Sequence, residues 1–251
     1  GVGRDMAESV KGLPESRKYE EVMLVDYDRD AYGKVIAASL YPHTAMTLEE
    51  LENYAKNISE DEKRKIMARY VGERKNRRQK PGRGFERVYY TFEICANFGA
   101  YRDLHRHRVL TQQRQLLTTR LGYKLPKEVV DAGYESDFRN SMELAKNAYE
   151  EIAKKYPKEA QYAVPLAYNI RWQITMNLRE VYHFCELRSI QQGHPDYRSV
   201  AQKMYLKVRE VHPMLAEGMK FMDMKEYEFE RLEAEKRTDK KLEEIRERYG
   251  N

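Results

Sequence analysis

Cysteine is scarce in this chain of 251 residues; there are two, Cys95 and Cys185. Neither stands in a CxxC or comparable spacing, so a thiolate metal site has no ligands, and two buried free thiols in a reducing cytoplasm are expected. Long apolar runs are missing as well. No stretch approaches the ~18 consecutive apolar residues that a membrane-spanning helix needs. The opening GVGRDMAESVKG lacks the apolar core of a signal peptide. It also lacks an initiator Met, as expected of a piece of something longer or of a tag remnant. There is no internal repeat and no low-complexity tract. The glycines of PGRG (81–84) match neither a Rossmann nor a phosphate-loop spacing, and no triad centred on Ser, Cys or His can be assembled.

Charge, by contrast, is abundant. At 41% hydrophobic the chain can bury a core, while 35% charged residues give a very wet surface, above the usual fraction of about a quarter. Such a surface fits the ion-pair networks of a heat-adapted protein. The net charge of +5 favours an anionic ligand, without the density of a dedicated nucleic-acid binder. The aromatics, 20 Tyr and 7 Phe, fall at core-like spacing rather than interleaved with Lys and Arg, which argues against base stacking.

The hydrophobic pattern predicts a loose arm over 1–18, a strand over 20–27 and a helix over 28–41. Thr47 with Glu50 and Ser59 with Glu62 read as capping boxes opening two further helices. Residues 73–84 form a basic, glycine-punctuated loop. FERVYYTFEICANF (85–98) is the best strand, with Val88, Tyr90, Phe92 and Ile94 on one face. A mainly helical region follows. It contains an amphipathic helix over 136–156, with Ser136 as cap and Pro157 beyond its end, and a long helix over 167–190. Another helix runs over 197–222, broken near Pro213, and a charged helical extension over 223–251. The expectation is an α+β fold, with antiparallel or mixed strands early and a helix-rich second half, organised as one domain over 19–222.

Two places concentrate polar chemistry. Within the long helix, Ile174, Leu178, Val181 and Cys185 make one apolar stripe that Arg188 continues, with Asn177 on its flank. Arg188 must either snorkel past the helix end or meet an anion. The second place is DLHRHRVLTQQRQLLTTR (103–120), where Arg106, His107 and Arg108 precede a run of amides and hydroxyls ending at Arg120. A solvated basic patch accounts for it, and so does an anion-binding floor, because arginine forks bind phosphate in bidentate fashion.

Together these pieces resemble the flavin-dependent thymidylate synthases. The resemblance rests on RHR (106–108), the Thr/Arg pattern ending at Arg120, VPLAYN (164–169), MNLREVYHFCELR (176–188) and FERVYYTFEI (85–94), in matching order over about residues 20–222. It implies a homotetramer holding FAD at subunit contacts. It implies methylation of dUMP to dTMP, with methylenetetrahydrofolate as carbon source and NADPH as reductant of the flavin, in the cytoplasm. It also assigns roles: Arg106, His107, Arg108, Asn177, Arg179 and His183 to FAD, Arg120, Thr118 and Gln161 to the nucleotide, and Arg188 to the pyrimidine as the residue closest to the chemistry. Such chemistry relies on positioning and polarisation rather than on a protein nucleophile.

Departures cluster on the nucleotide side. In the family pattern RHRxxSxNxxSxR the nearest hydroxyls here are Thr111 and Thr118, and Arg120 is reached only past a short insertion near Arg114 to Leu117. The segment HxSPFEH has become PGRGFER, with Pro81 and Arg87 in place of its outer histidines. Asp103 replaces a nucleotide-contacting glutamine, Gln161 an arginine, and His183 an asparagine; the histidine after ELR is displaced to His194. A non-catalytic paralogue domain with a structural or assembly role is the alternative that these losses support.

Overall fold

The computed structural model describes residues 2–14, 16, 19–227 and 232–249. Residues Val2–Ser9 form a helix, α1, exposed over residues 5–9, where a loose arm was expected. Strand β1 (Val22–Tyr27) and helices α2 (Ala31–Leu40), α3 (Leu48–Asn57) and α4 (Glu60–Val71) follow as the sequence predicts. Thr47 makes both bonds of its capping box, accepting from Glu50 N–H at 3.3 Å while Glu50 accepts from Thr47 N–H at 2.7 Å. Ser59 accepts from Glu62 N–H at 3.2 Å. Gly72 ends α4 at φ +67°, a backbone state that glycine reaches without a steric penalty.

The sheet holds β1, β2 (Tyr89–Asn97), β4 (Asn169–Asn177) and β3 (Thr111–Arg114), in that spatial order, with every pairing antiparallel. β2 lies centrally because its alternation is strong: Val88, Tyr90, Phe92 and Ile94 are fully buried on one face. Opposite them in register are Met176, Ile174 and Trp172 of β4. That register corrects the predicted long helix over 167–190. Ile170, Trp172, Ile174 and Met176 alternate at period two and are rich in β-branched and aromatic side chains, so Asn169–Asn177 pairs as a strand. Only Leu178–Arg188 (α8) is helical. The apparent stripe from Ile174 ran across a strand–helix junction, although Leu178, Val181 and Cys185 do form a buried row on α8.

The run after RHR is corrected too. Helix α5 (Phe98–Leu104) ends before it, and Thr111–Arg114 is an edge strand against β4, with Thr111 opposite Thr175. Short α6 (Lys127–Asp131) precedes α7 (Glu135–Lys155), whose capping position is Tyr134, so Ser136 sits inside the first turn. α9 (Pro195–Val211) lays Val200, Ala201, Met204 and Val208 against the sheet, and Pro213 opens α10 (Pro213–Ala216). α11 (Leu232–Tyr249) carries an exposed surface over residues 236–248.

The α9–α10 hinge carries a stability prediction. His212 is 3% exposed, its Nδ1 shares a hydrogen bond of 2.7 Å with the Tyr90 hydroxyl, and the Tyr27 and Tyr32 rings meet it edge-on. Burial holds its imidazole down to about 4. A histidine depressed in the folded state is protonated first in the unfolded chain, so its contribution is complete above the unfolded value near 6.5 and is lost as pH falls towards 4. Up to ~1.4 kcal/mol per pH unit is expected to vanish in that window. Urea unfolding between pH 7.5 and 5 checks it: relative to wild type, His212→Gln should flatten the dependence, and equal slopes would refute this account.

Candidate functional site

Two strand–helix units build the site. β2 runs directly into α5 and β4 into α8, and each helix is capped by the asparagine ending its strand. Asn97 accepts from Ala100 N–H at 2.7 Å and Asn177 from Glu180 N–H at 2.9 Å. Asn177, which the resemblance assigns to FAD, thus also caps the helix. On α8, Glu180, Phe184 and Arg188 are spaced by four and share one face.

His107, the centre of RHR, lies across that face. Its ring centroid is 4.6 Å from that of Phe184, its Nδ1 is 2.8 Å from Glu180 Oε1, and Arg188 Nε donates to its Nε2 at 3.0 Å. Arginine has no acceptor, so Nε2 must be the bare nitrogen, and Nδ1 carries the proton it gives to Glu180. His107 and Glu180 are both buried, and Arg188 is half-buried. Desolvation pushes the Arg188 guanidinium below its ordinary value, against the pull of Tyr197 and Asp103. Glu180 is the member of this cluster that sequence reasoning missed; its spacing of four from Phe184 and eight from Arg188 was the available signal.

His183 stands half-buried beside this cluster, 5.5 Å from His107 between ring centroids. Burial first, and then the Lys80 cation, push its imidazole below the ordinary value, with His107 and Arg77 adding to the effect and Glu180 opposing it. Ligand atoms of His107, Glu180 and His183 lie within 4.8 Å of one another, the spacing of a metal site. Both nitrogens of His107 are already hydrogen-bonded, however, and the surrounding cations repel a further positive charge.

The flanking arginines are exposed. Arg106 pairs with Asp103 at 3.2 Å, and both line a cavity of about 450 Å³ with Asn97, Lys124, Asp196 and Tyr197. The Arg188 guanidinium carbon is 5.6 Å from the centroid of the Tyr197 ring at its edge. Arg179, which the resemblance assigns to the flavin, donates to Pro81 O at 2.9 Å and pairs with Glu86 at 3.2 Å, fastening the segment that stands where the family has its histidine-rich motif. Glu186, on the same helix, is fully buried against Arg74.

The remaining nucleotide residues lie elsewhere. Gln161 lines a separate cavity of about 360 Å³ with Arg114, Leu117 and Lys158. Its Oε1 accepts from Leu117 N–H at 3.0 Å and from Arg114 at 3.2 Å, so it organises the loop that leads to Thr118 and exposed Arg120. The two cavities share no lining residue. Of the residues that the resemblance assigns to the nucleotide, Gln161 lines the smaller cavity, while Arg188 stands beside Tyr197 of the larger.

Comparison with known proteins places these features. Residues 23–214 match the family described as thymidylate synthase complementing protein. A UPF0159 protein of Chlamydia muridarum is 45% identical over 216 residues, covering 86% of this chain and 41% of that protein. A flavin-dependent thymidylate synthase of Saccharolobus solfataricus is 32% identical over 145 residues, 52% of this chain and 53% of that one. The chain spans less than half the length of the UPF0159 relatives it matches. Among solved structures, a UMP/dUMP methylase PolB from Streptomyces cacaoi bound with 5-Br dUMP superposes with a TM-score of 0.61 at 18% identity, over 80% of this chain and 94% of that chain, which establishes the shared fold. No described helix is long and apolar enough to cross a membrane.

Proposed function

Because the chain belongs to the thymidylate synthase complementing protein family, we propose that it methylates dUMP to dTMP in a homotetramer. Methylenetetrahydrofolate is the carbon donor, NADPH the reductant and FAD the cofactor. The observation that carries this reading is the RHR imidazole seated on α8, which joins Arg188 to a histidine 81 residues earlier in the sequence, at the edge of a cavity lined by further cations. Gln161 and Arg188 stand beside different cavities, which supports a site completed by a second copy.

The donor set fits the anionic part of FAD. Arg106 and Arg108 are exposed on either side of the buried imidazole, and Lys80 and Arg77 lie close enough to His183 to lower its basicity. Arg106, Arg108 and His183 would hold the pyrophosphate. Asn177 and Arg179 act behind them, as the cap of α8 and the anchor of the 81–86 segment. When bound, FAD supplies the hydride for the transferred carbon. Arg188 remains a cation despite its desolvation, because guanidinium cannot be deprotonated in proteins, and in this reading it polarises the pyrimidine carbonyl. Thr118 and Arg120 would receive the phosphate, with Gln161 holding their loop.

The non-catalytic alternative draws on the Asp103–Arg106 pair, which neutralises one cation in the cavity, and on the uncharged Gln161. Spectroscopy separates the two readings. The purified protein is expected to be yellow, and dUMP is expected to perturb the flavin absorbance. Arg106→Ala or Arg108→Ala should each weaken FAD by roughly 1.5–3 kcal/mol, about ten- to a hundredfold. A colourless protein that takes up no FAD at high micromolar concentration would establish the non-catalytic reading.

A further inference from the structure

We propose that Glu180 is a positioning residue: acting through His107, it fixes the orientation in which Arg188 meets its ligand. The inference rests on the reading of Arg188 as a nucleotide contact, but its first step, the state of His107, can be tested without any ligand. The argument starts from what each group can donate. Arg188 offers only N–H, so the His107 nitrogen facing it must be bare. An imidazole whose Nε2 is bare and which stays neutral must carry its proton on Nδ1. A buried Nδ1–H needs an acceptor, and Glu180 Oε1 supplies it at 2.8 Å. A carboxylate at that place accepts and never donates, which excludes the opposite tautomer. The polarity of the chain therefore runs one way, from Arg188 to His107 to Glu180.

Each link is held by backbone that the sequence specifies. Glu180 lies in the first turn of α8, where its own N–H is taken by the Asn177 cap. His107 is pressed against Phe184 between the two charged residues. Arg188 sits in the last turn, half-buried, with its guanidinium near the Tyr197 ring that lines the 450 Å³ cavity. With Nε committed to His107, rotation about the last bonds of the Arg188 side chain is restricted, and the terminal nitrogens are presented from a fixed direction. That arrangement is preorganisation, in which the orientation is settled before the ligand arrives. An arginine left to swing at the helix end would have to be ordered on binding, at a cost in affinity.

The same three groups, with His183 in place of Arg188, have the spacing of a metal site, so the test includes a divalent cation. Nitrogen-15 NMR of the histidine rings, assigned by difference against His107→Gln, reads the tautomer in the ligand-free protein. Wild type is expected to show His107 protonated on Nδ1. Glu180→Gln keeps an acceptor of the same shape and should keep the tautomer and most of the dUMP affinity. Glu180→Leu should shift His107 towards the Nε2–H form and weaken dUMP by at least ~tenfold, the loss of one charge-assisted link. Helical circular dichroism must be unchanged for this comparison; should Glu180→Leu fail to fold, the wild-type and Glu180→Gln spectra still decide the tautomer. An Nε2–H imidazole in wild type would overturn the proposal, as would a Glu180→Leu protein that keeps both tautomer and affinity. Micromolar Zn²⁺ binding with loss of the Nδ1 proton would overturn it in favour of a metal site. If wild type shows the Nδ1–H form and binds no dUMP, the nucleotide reading fails while the geometry assigned to Glu180 stands.

Discussion

Glu186→Ala is expected to destabilise the fold by ~3–5 kcal/mol, the usual cost of stranding one partner of a buried ion pair. The Arg74 and Glu186 side chains are 3% and 1% exposed. Two nitrogens of the guanidinium meet the two carboxylate oxygens, at 2.7 and 2.5 Å. Arg74 also donates to Gly218 O at 2.9 Å and to Gln79 O, and it lies against the Tyr182 and Phe221 rings. One side chain thus ties the 73–84 loop, α8 and the segment after α10 together. Removing the carboxylate leaves a guanidinium that cannot shed its charge in a site from which water is excluded. A domain of this size should lose roughly 10 °C in thermal midpoint. The double variant Arg74→Met with Glu186→Leu should recover much of the loss, because no charge is then left buried. Recovery should be partial, since Gly218 O and Gln79 O lose their donor. Thermal and urea unfolding of the two variants decide it. A shift of Glu186→Ala below ~1 kcal/mol would mean that the pair behaves like a solvated surface bridge.

That pair also marks where the sequence stops being legible. Arg74 stands in ERKNRRQK among six other basic and amide side chains, and nothing local distinguishes the one that turns inward. Its partner lies 112 residues away. Period-two burial, in contrast, is a local signal, and Val88 to Ile94 could be placed on the core face without knowing what covered them. The same signal was present in NIRWQITMN and was overridden by a helical stripe that began in the strand and ended in α8. A strand that enters a helix without a loop offers no break in apolar spacing; the asparagine at each junction, Asn97 and Asn177, was the available mark. The Thr47 and Ser59 caps were legible because a cap is made within four residues. At the site, RHR and Arg188 could be associated by resemblance, and the structure joins them. The direction of their hydrogen bonds required Glu180, whose role appears only once α8 starts at Leu178 and places it on the His107 face.

Mixing two inactive variants should restore tight dUMP binding at about a quarter of the sites, if each site draws one half from each of two chains. Arg188 stands by the cavity of Asp103, Arg106 and Tyr197, whereas exposed Arg120 lies three residues beyond Leu117, whose N–H is held by Gln161 in the other cavity. Arg188→Ala and Arg120→Ala each remove a charge-assisted contact and should weaken dUMP about ten- to a hundredfold. Both positions lie at or near the surface, so neither variant should unfold. Co-expressed in equal amounts, the two chains combine at random. A site then has an even chance of receiving Arg188 from a chain that retains it, and independently an even chance of receiving Arg120. The product is a quarter of sites with both arginines, a quarter with neither and half with one. Flavin absorbance titrated with dUMP should therefore show a tight phase of about a quarter of the wild-type amplitude above a weak background, which neither variant alone gives. Every chain in the mixture lacks one arginine, so a site built within a single chain can give no tight phase at any ratio. Light scattering on the same samples reports assembly independently. A monomer that binds dUMP tightly as wild type, with no tight phase in the mixture, would refute the shared site and leave the two cavities with separate ligands.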